Sequence, residues 1–412
     1  MSNDSSISRR DFLKTTSAVA AAAGTAGLWS GASGHSQGAN ERINVGCIGV
    51  GGRGGSLLRG LIEKSDLDPA NVKVIATCDV YDKRMERSAA MCEGTPYRDY
   101  RKLLENSDLD AVVIATPDHW HKNITIDAMD AGFDVYCEKP MTLYWDEAKE
   151  VKAAVERTGK VLQVGAQGCS GDQWWKAQEQ IKAGALGQLI WSQTGAYRNV
   201  KGGDWNYGID ADAKPGVNLD WDMWLGPAAK VDWDPERFFR FRKFWDYSGG
   251  LATDLLYHSL SHMLVALGPE FPSRVVASGG IYAHHDREVP DTFHVLIDYP
   301  TNHTMALHAT QANEQGLREI IRGQEATMYF EGPGLVIRPE KPFAEGREEI
   351  TVAAEKRPDH MQNWLDCIRS RERPTLDVDT GYKTQVAIAL AVAAYREQKV
   401  KLFDPVKEEV IQ

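Results

Sequence analysis

The chain reads as α/β: a doubly wound parallel sheet, then an α+β domain with a large open antiparallel sheet. Two textures predict this. Up to about residue 165, short apolar runs alternate with amphipathic stretches, as strands do when each is followed by a covering helix. Beyond it, runs of alternating apolar and polar residues succeed one another, the pattern of a sheet with one covered face. A third observation marks where the first sheet begins. The apolar run Ile43–Ile48 leads directly into Gly49-Val-Gly-Gly-Arg-Gly54.

The elements follow in order. Residues 1–40 stand apart: Ser8-Arg-Arg-Asp-Phe-Leu-Lys14, an Ala-rich stretch Thr15–Trp29 and a Gly/Ser-rich tail resemble a twin-arginine export signal with its linker. Such a segment is an address and takes no part in the fold. From 41 to 165, strands are expected at 43–48, 72–78, 110–116, 133–138 and 160–165, and helices near 54–64, 82–92, 119–131 and 144–158. The second domain, 166–412, opens with a helix at 172–184. Strands at 188–197, 274–283, 291–298, 303–312 and 326–330 follow, and helices at 358–370 and 380–398 close it. The irregular stretch 198–247 is dense in charges and aromatics, including Trp205, Trp221, Trp224, Trp233 and Trp245. A connection that long usually serves a site, a lid or an oligomer contact.

Composition narrows the class. The 412 residues suffice for two domains and a large core, and 42% hydrophobic with 25% charged residues suits a soluble globular protein. A net charge of −11 argues against a nucleic-acid partner. No apolar run beyond the N-terminal segment is long enough to span a membrane. The cysteines at 47, 78, 92, 137, 169 and 367 form no C-x-x-C pair and read as free, mostly buried thiols. Export of an already folded protein suits such thiols.

A strand that runs into G-x-G-x-x-G and opens a helix builds a cradle for a dinucleotide pyrophosphate. The first glycine makes the tight turn, the second admits the phosphates and the third lets helix pack on strand. Gly49, Gly51, Gly52, Arg53 and Gly54 are therefore the cofactor candidates. The second strand ends at Asp79, where a carboxylate can hold the ribose hydroxyls and repel a 2′-phosphate, which favours NAD over NADP; Lys83 and Arg84 nearby keep NADP open. The third and fourth long strands end in Thr116-Pro-Asp-His-Trp-His121 and Glu138-Lys139-Pro140. Strand carboxyl ends are where ligands bind in such sheets, so Thr116, Pro117, His121, Glu138 and Lys139 join the cofactor set. A lysine there can carry a proton if desolvation or a nearby cation lowers its pKa; the bland alternative is a solvated surface lysine.

A second constellation, Gly249-Gly-Leu-Ala-Thr-Asp254-Leu-Leu-Tyr-His258-Ser-Leu-Ser-His262, carries a helical apolar stripe. Asp254, His258 and His262 recur every four residues and would share one helix face. Asp254 would then orient His258 for proton exchange with a hydroxyl. The same spacing also suits a metal held by His258 and His262, or a buried histidine satisfied by the aspartate. His262 and Tyr197, at the end of the strand 188–197, are the substrate-facing candidates, and His262 serves equally as a structural residue.

Together these motifs resemble the Gfo/Idh/MocA oxidoreductases, the glucose–fructose oxidoreductase and inositol dehydrogenase relatives, over residues 41 to 400. The resemblance implies a Rossmann domain and an open sheet that often forms a homo-oligomer interface. It places Lys139, Asp254 and His258 at the catalytic Lys, Asp and His. Relatives frequently carry Asp three residues after that His, where this chain has Ser261. The expectation is an exported, periplasmic NAD(P)-dependent oxidoreductase acting on a sugar, polyol or glycoside hydroxyl, with no resident metal. The alternatives are an NAD-dependent glycosidase or lyase that recycles its cofactor and a non-catalytic nucleotide-binding regulator.

Overall fold

The computed structural model describes residues 42–411; the export address read at 1–40 lies outside them. The first sheet is all parallel, with strands β1 (Ile43–Ile48), β2 (Val72–Cys78), β3 (Thr95–Tyr97), β4 (Ala111–Ile114), β5 (Asp134–Glu138) and β6 (Leu162–Gly165) in the order 3-2-1-4-5-6. The strands are Val/Ile-rich because both faces are covered. Helices α1 (Gly52–Leu67), α2 (Asp82–Cys92), α3 (Tyr100–Leu103), α4 (His121–Asp130) and α5 (Trp145–Thr158) supply most of that cover. Leu58 and Leu61 of α1 are fully buried in a cluster with Ile43, Val45 and Val74; each such leucine stabilises the fold by about 1.5–3 kcal/mol. Strand β3 and helix α3 carry no sequence signal, being too short to show a period.

The strand order reverses at β1, which pairs β2 on one side and β4 on the other: Ile48 lies opposite both Cys78 and Ile114. The segments following β1, β2, β4 and β5 therefore leave the sheet at one edge, where a doubly wound sheet opens a crevice.

After α6 (Asp172–Lys182) the chain enters the second sheet through β7 (Leu189–Asn199). The segment expected to be irregular is largely so. It nevertheless carries α7 (Trp221–Leu225) and α8 (Pro235–Phe239) and builds a small core of its own with Trp221, Trp224, Leu225, Phe238 and Tyr247 around Tyr81 of the first domain. Next comes a π-helical turn, Ala252–Leu256, which runs into α9 (Tyr257–Leu267). Strands β8 (Arg274–Gly280), β9 (Thr292–Tyr299), β10 (His303–Thr310), β11 (Ala312–Asn313), β12 (Ile320–Gly323), β13 (Ala326–Glu331), β14 (Gly334–Pro339) and β15 (Ile350–Ala353) follow. Helices α10 (His360–Ser370) and α11 (Val378–Glu397) precede the last strands, β16 (Lys401–Asp404) and β17 (Glu409–Val410).

These form a single eleven-stranded sheet that is mixed, because β10 pairs β7 in parallel while its other pairings are antiparallel. The long excursion through α7, α8 and α9 provides the crossover that a parallel neighbour requires. One face of the sheet packs on the helices; the other leaves Trp191, Val276 and Leu296 exposed. Helix α10 returns to the first sheet, where Met361, Trp364, Leu365 and Ile368 join the cluster under α1.

Candidate active site

The cradle forms where β1 meets α1. Gly49 has φ +80°, and a Cβ there would stand 2.7 Å from the Thr116 amide nitrogen. At Gly54 a Cβ would lie 1.9 Å from the Gly49 carbonyl oxygen, so only glycine lets the helix sit on the strand. Beside Gly52 there is open space, and beside Gly51 only the Arg84 side chain. Helix α1 begins at Gly52 without a side-chain cap, leaving its first N–H groups for an anion. A pyrophosphate fits this arrangement.

The cradle opens into a cavity of about 870 Å³. At its far end Asp79 is buried and accepts the Tyr81 N–H at 3.1 Å. Burial raises its carboxyl pKa, against the pull of Arg84. The Arg84 guanidinium stacks 4.8 Å over the Phe238 ring and 5.2 Å over Phe239, and has no carboxylate partner among the described residues. The segment 207–244 roofs this end. It is fastened to the first domain by Lys83–Asp210 (2.6 Å), Tyr81 Oη–Asp210 (3.0 Å), and the backbone bonds Asp82 N–Asn218 O (2.9 Å) and Asp220 N–Val80 O (3.0 Å).

The stretch Asp118–His121 works as a clamp. Asp118 accepts the Thr253 hydroxyl (3.0 Å), and the His119 Nε2 and Trp120 Nε1 groups both reach the Trp224 carbonyl (3.1 and 2.8 Å). His121 sits beneath the cavity between the Pro140 carbonyl (Nδ1, 2.6 Å) and the Thr116 carbonyl (Nε2, 2.8 Å). Only an imidazolium donates to both. Burial opposes that charge, but the Cys137 sulfur, Asp118 and the Pro140 carbonyl override it and raise the pKa to about 10. His121 thus ties the ends of β4 and β5 together from below, while Thr116, Pro117, Asp118 and Trp120 line the cavity.

At the near end, Lys139 Nζ donates to the Asp254 Oδ1 (2.7 Å) and to the Asp254 backbone carbonyl (2.6 Å). Arg242 Nε donates to the same Oδ1 (2.9 Å), and Trp205 Nε1 to Oδ2 (2.9 Å). Burial alone would raise the Asp254 carboxyl pKa; the charges of Lys139 and Arg242 outweigh it and hold the group well below the usual carboxylate range. His258 lines the same cavity, its pKa pushed down to about 3 by burial and then by the Lys139 charge, so its ring is neutral at physiological pH. Glu138 is buried under Arg53 (2.7 Å) and Gln167 (2.9 Å).

Lys139, Asp254 and His258 therefore come together, but not on one α-helical face. The π turn rotates Asp254 away from the register of α9, and its carboxylate meets Lys139, Arg242 and Trp205, with no hydrogen bond to His258. His262 turns the other way: it stacks on Trp174 (4.0 Å) and pairs with Glu319 (3.0 Å). Tyr197 lies against Gly195 and Gly316, its hydroxyl buried without a partner, and neither residue lines the cavity. Among the described residues no group of His, Cys, Asp and Glu has a metal-binding arrangement. The six cysteines are free. Sequence reasoning missed Arg242 and the structural use of Trp205; the only signal was the aromatic, charged texture of the whole 198–247 stretch.

Fold and site define a Rossmann-type dinucleotide-binding protein whose cradle opens into a cavity lined by Lys139, Asp254 and His258. Comparison with known proteins makes the class specific. Residues 43–166 match the family model described as oxidoreductase family, NAD-binding Rossmann fold, and residues 181–412 match its C-terminal alpha/beta domain. The chain belongs to the Gfo/Idh/MocA oxidoreductase family. Residues 6–26 match the twin-arginine translocation signal. An inositol 2-dehydrogenase from Rubrobacter xylanophilus is 29% identical over 186 residues, 45% of this chain and 49% of that protein. A glycosyl hydrolase family 109 protein from Stenotrophomonas maltophilia is 28% identical over 212 residues, 48% of this chain and 44% of that one. The chain thus spans about half the length of the curated relatives it matches. Levoglucosan dehydrogenase, solved with NADH and L-sorbose, superposes with a TM-score of 0.67 at 18% identity, over 87% of this chain and 98% of that one. At that identity the likeness speaks for the fold alone.

Proposed function

We propose that the protein is an exported NAD-dependent enzyme that oxidises a hydroxyl-bearing carbon of a sugar, polyol or glycoside. One observation carries the reading: the Lys139 ammonium, fixed on Asp254, and the neutral His258 ring face one cavity that continues into the dinucleotide cradle. Gly49, Gly51, Gly52 and the start of α1 would hold the pyrophosphate, with Asp79 at the ribose. Bound NAD supplies the two-electron acceptor. Lys139 would donate a hydrogen bond to the substrate oxygen, and His258 would take the hydroxyl proton on its unprotonated nitrogen. Asp254 would act through Lys139, setting where its ammonium points. The resemblance places these three residues at the catalytic positions, while the orienting role read for Asp254 passes here from His258 to Lys139.

A second reading, redox-neutral turnover with a cofactor that never leaves, is favoured by the roof fastened over Asp79. Such a roof slows exchange of the dinucleotide, and the matched relatives include a glycosyl hydrolase family 109 protein. Native mass spectrometry of the purified protein, followed by assays with and without added NAD, separates the two. Net reduction of added NAD on a sugar supports the first reading; glycoside cleavage with retained dinucleotide and no net reduction supports the second; neither, with dinucleotide bound, refutes both.

The signal points to the periplasm, and replacing Arg9 and Arg10 by Lys should hold a folded, active enzyme in the cytoplasm. The exposed face of the second sheet around Trp191, Val276 and Leu296 suits a second copy of the chain, which light scattering would reveal as a dimer or larger.

A further inference from the structure

Arg242 is not needed where it stands merely to satisfy Asp254. The Asp254 Oδ1 already takes Lys139 at 2.7 Å, and Oδ2 takes Trp205 at 2.9 Å. Arg242 adds its Nε at 2.9 Å and rests its guanidinium 4.5 Å over the Phe241 ring. Both η nitrogens, four of the five donors of the group, have no partner among the described residues, and the side chain lines the cavity. Its planar edge is thus held in place from behind and left free in front.

The neighbouring cations are already engaged. At this end the cavity is lined by Lys139 and Arg242 and by the carboxyl groups of Asp254 and Asp118, and Lys139 is held on Asp254 at 2.7 Å. Two other cations that line the cavity are matched: Arg53 by Glu138 at 2.7 Å, and Arg198 by Asp204 at 3.2 Å. The η nitrogens of Arg242 are left as the unengaged donors here, in a pocket where burial weakens screening.

We infer that the substrate of this cavity is an acidic carbohydrate, a uronate or aldonate type of sugar, whose carboxylate is taken edge-on by the free η nitrogens of Arg242. A carboxylate matches the guanidinium fork in a bidentate pair. The inference rests on the proposed carbohydrate oxidation, since it assigns the substrate of that same site.

The test uses the natively purified protein with its retained dinucleotide. Binding is measured by tryptophan fluorescence and calorimetry for matched pairs: glucuronate with glucose, galacturonate with galactose, mannuronate with mannose, gluconate with glucitol. Glucose 6-phosphate and galactose 6-phosphate form a third arm. The expected result is that at least one acid binds tenfold or more tighter than its neutral partner and tighter than the phosphate. In Arg242→Gln that ratio falls toward one, and in Arg242→Lys it is partly kept, because the charge remains and the fork is lost. Circular dichroism and native mass spectrometry of each variant show that the fold and the dinucleotide are retained.

The inference is overturned if no acid exceeds its neutral partner, if the phosphates bind best, or if Arg242→Gln leaves the ratio intact. It is likewise overturned if that variant loses dinucleotide and nothing else. Failure of the oxidation reading looks different: the acid preference and its loss in Arg242→Gln persist, while no sugar, acid or neutral, is turned over.

Discussion

The two ends of the cavity are built on opposite plans. The cradle is local: Gly49 to Gly54 are consecutive, their roles fixed by backbone geometry, and little beyond β1, the end of β4 and α1 is needed to make it. The reacting end is assembled from afar, with Lys139 from the turn after β5, Asp254 and His258 from the π turn and α9, and Trp205 and Arg242 from the long irregular segment. A local site depends on the absence of side chains, and its failure is steric. An assembled site depends on charges meeting, and its failure is electrostatic. The predictions divide along that line.

The largest effect should fall on the assembled end. Lys139→Ala and His258→Ala should each lower turnover by about 10²–10⁴-fold, the range for loss of a positioned acid–base group. Dinucleotide retention should hardly change, and the double variant should be little worse than either single one if the two act as a unit. Native mass spectrometry beside steady-state rates checks this. Turnover near the wild-type value in both single variants would return these residues to a packing role.

Acid should also act on the assembled end. The folded pKa values of His258 (about 3) and His119 (about 4) lie below the unfolded value near 6.5, both chiefly through burial. The unfolded chain therefore binds protons that the folded chain refuses. The stability contribution is complete above pH 6.5 and declines as pH falls from there toward 4, by up to about 1.4 kcal/mol per unit for each histidine. Urea midpoints between pH 6 and 4.5, where His121 is charged in both states, should show this slope together with that of His303 (about 4), and His119→Asn should flatten it in part. The cradle, which contains no histidine, contributes nothing to it.

On the cradle side, Gly54→Ala forces a Cβ to within 1.9 Å of the Gly49 oxygen. Relieving that clash should cost about 1–3 kcal/mol of stability and empty the site of dinucleotide. A thermal melt unchanged from wild type would show that α1 slides freely on β1 and that the close approach is not required.

How much of each end was legible follows from the same contrast. The cradle could be read because its cause is local: a strand, a run of glycines, a helix. The parallel order of the first sheet followed from alternating textures for the same reason. The partners of Asp254 could not be read, because Trp205 and Arg242 lie 49 and 12 residues away along the chain in a stretch with no periodicity. The i, i+4 argument also assumed an unbroken α-helix, and the π turn at Ala252–Leu256 breaks that assumption at the residue that mattered. His262 followed the helical register faithfully and was carried to Glu319 and Trp174 instead of the cavity. The parallel pairing of β7 with β10 was hidden similarly, since it depends on where a long excursion returns.

Asp79 tests whether the far end also reads cofactor type. Its carboxylate is buried within the cavity wall, while Arg84 and Arg87 line the cavity beside it. Loss of a charged hydrogen bond to ribose costs about 1.5–3 kcal/mol, so Asp79→Ala should weaken NAD roughly tenfold or more and narrow the gap to NADP. Equal affinity of the wild type for NAD and NADP, by competition on the stripped protein, would remove the ribose role.

The smallest effect should come from the roof's fastening, where the two plans meet. Lys83 and Asp210 form an exposed pair at 2.6 Å, and exposed pairs add little to stability. Asp210 also takes the Tyr81 hydroxyl at 3.0 Å, at the point where the assembled segment crosses the local cradle. Asp210→Ala should leave the melting temperature almost unmoved. Release of the dinucleotide, followed by stopped-flow dilution, should quicken by a few-fold, because the contact holds the roof closed more than it holds the fold together. The backbone bonds Asp82 N–Asn218 O and Asp220 N–Val80 O remain in that variant and limit the change. If release is unaltered while the melt drops, the pair belongs to the fold, and the roof is a wall with no part in keeping the cofactor.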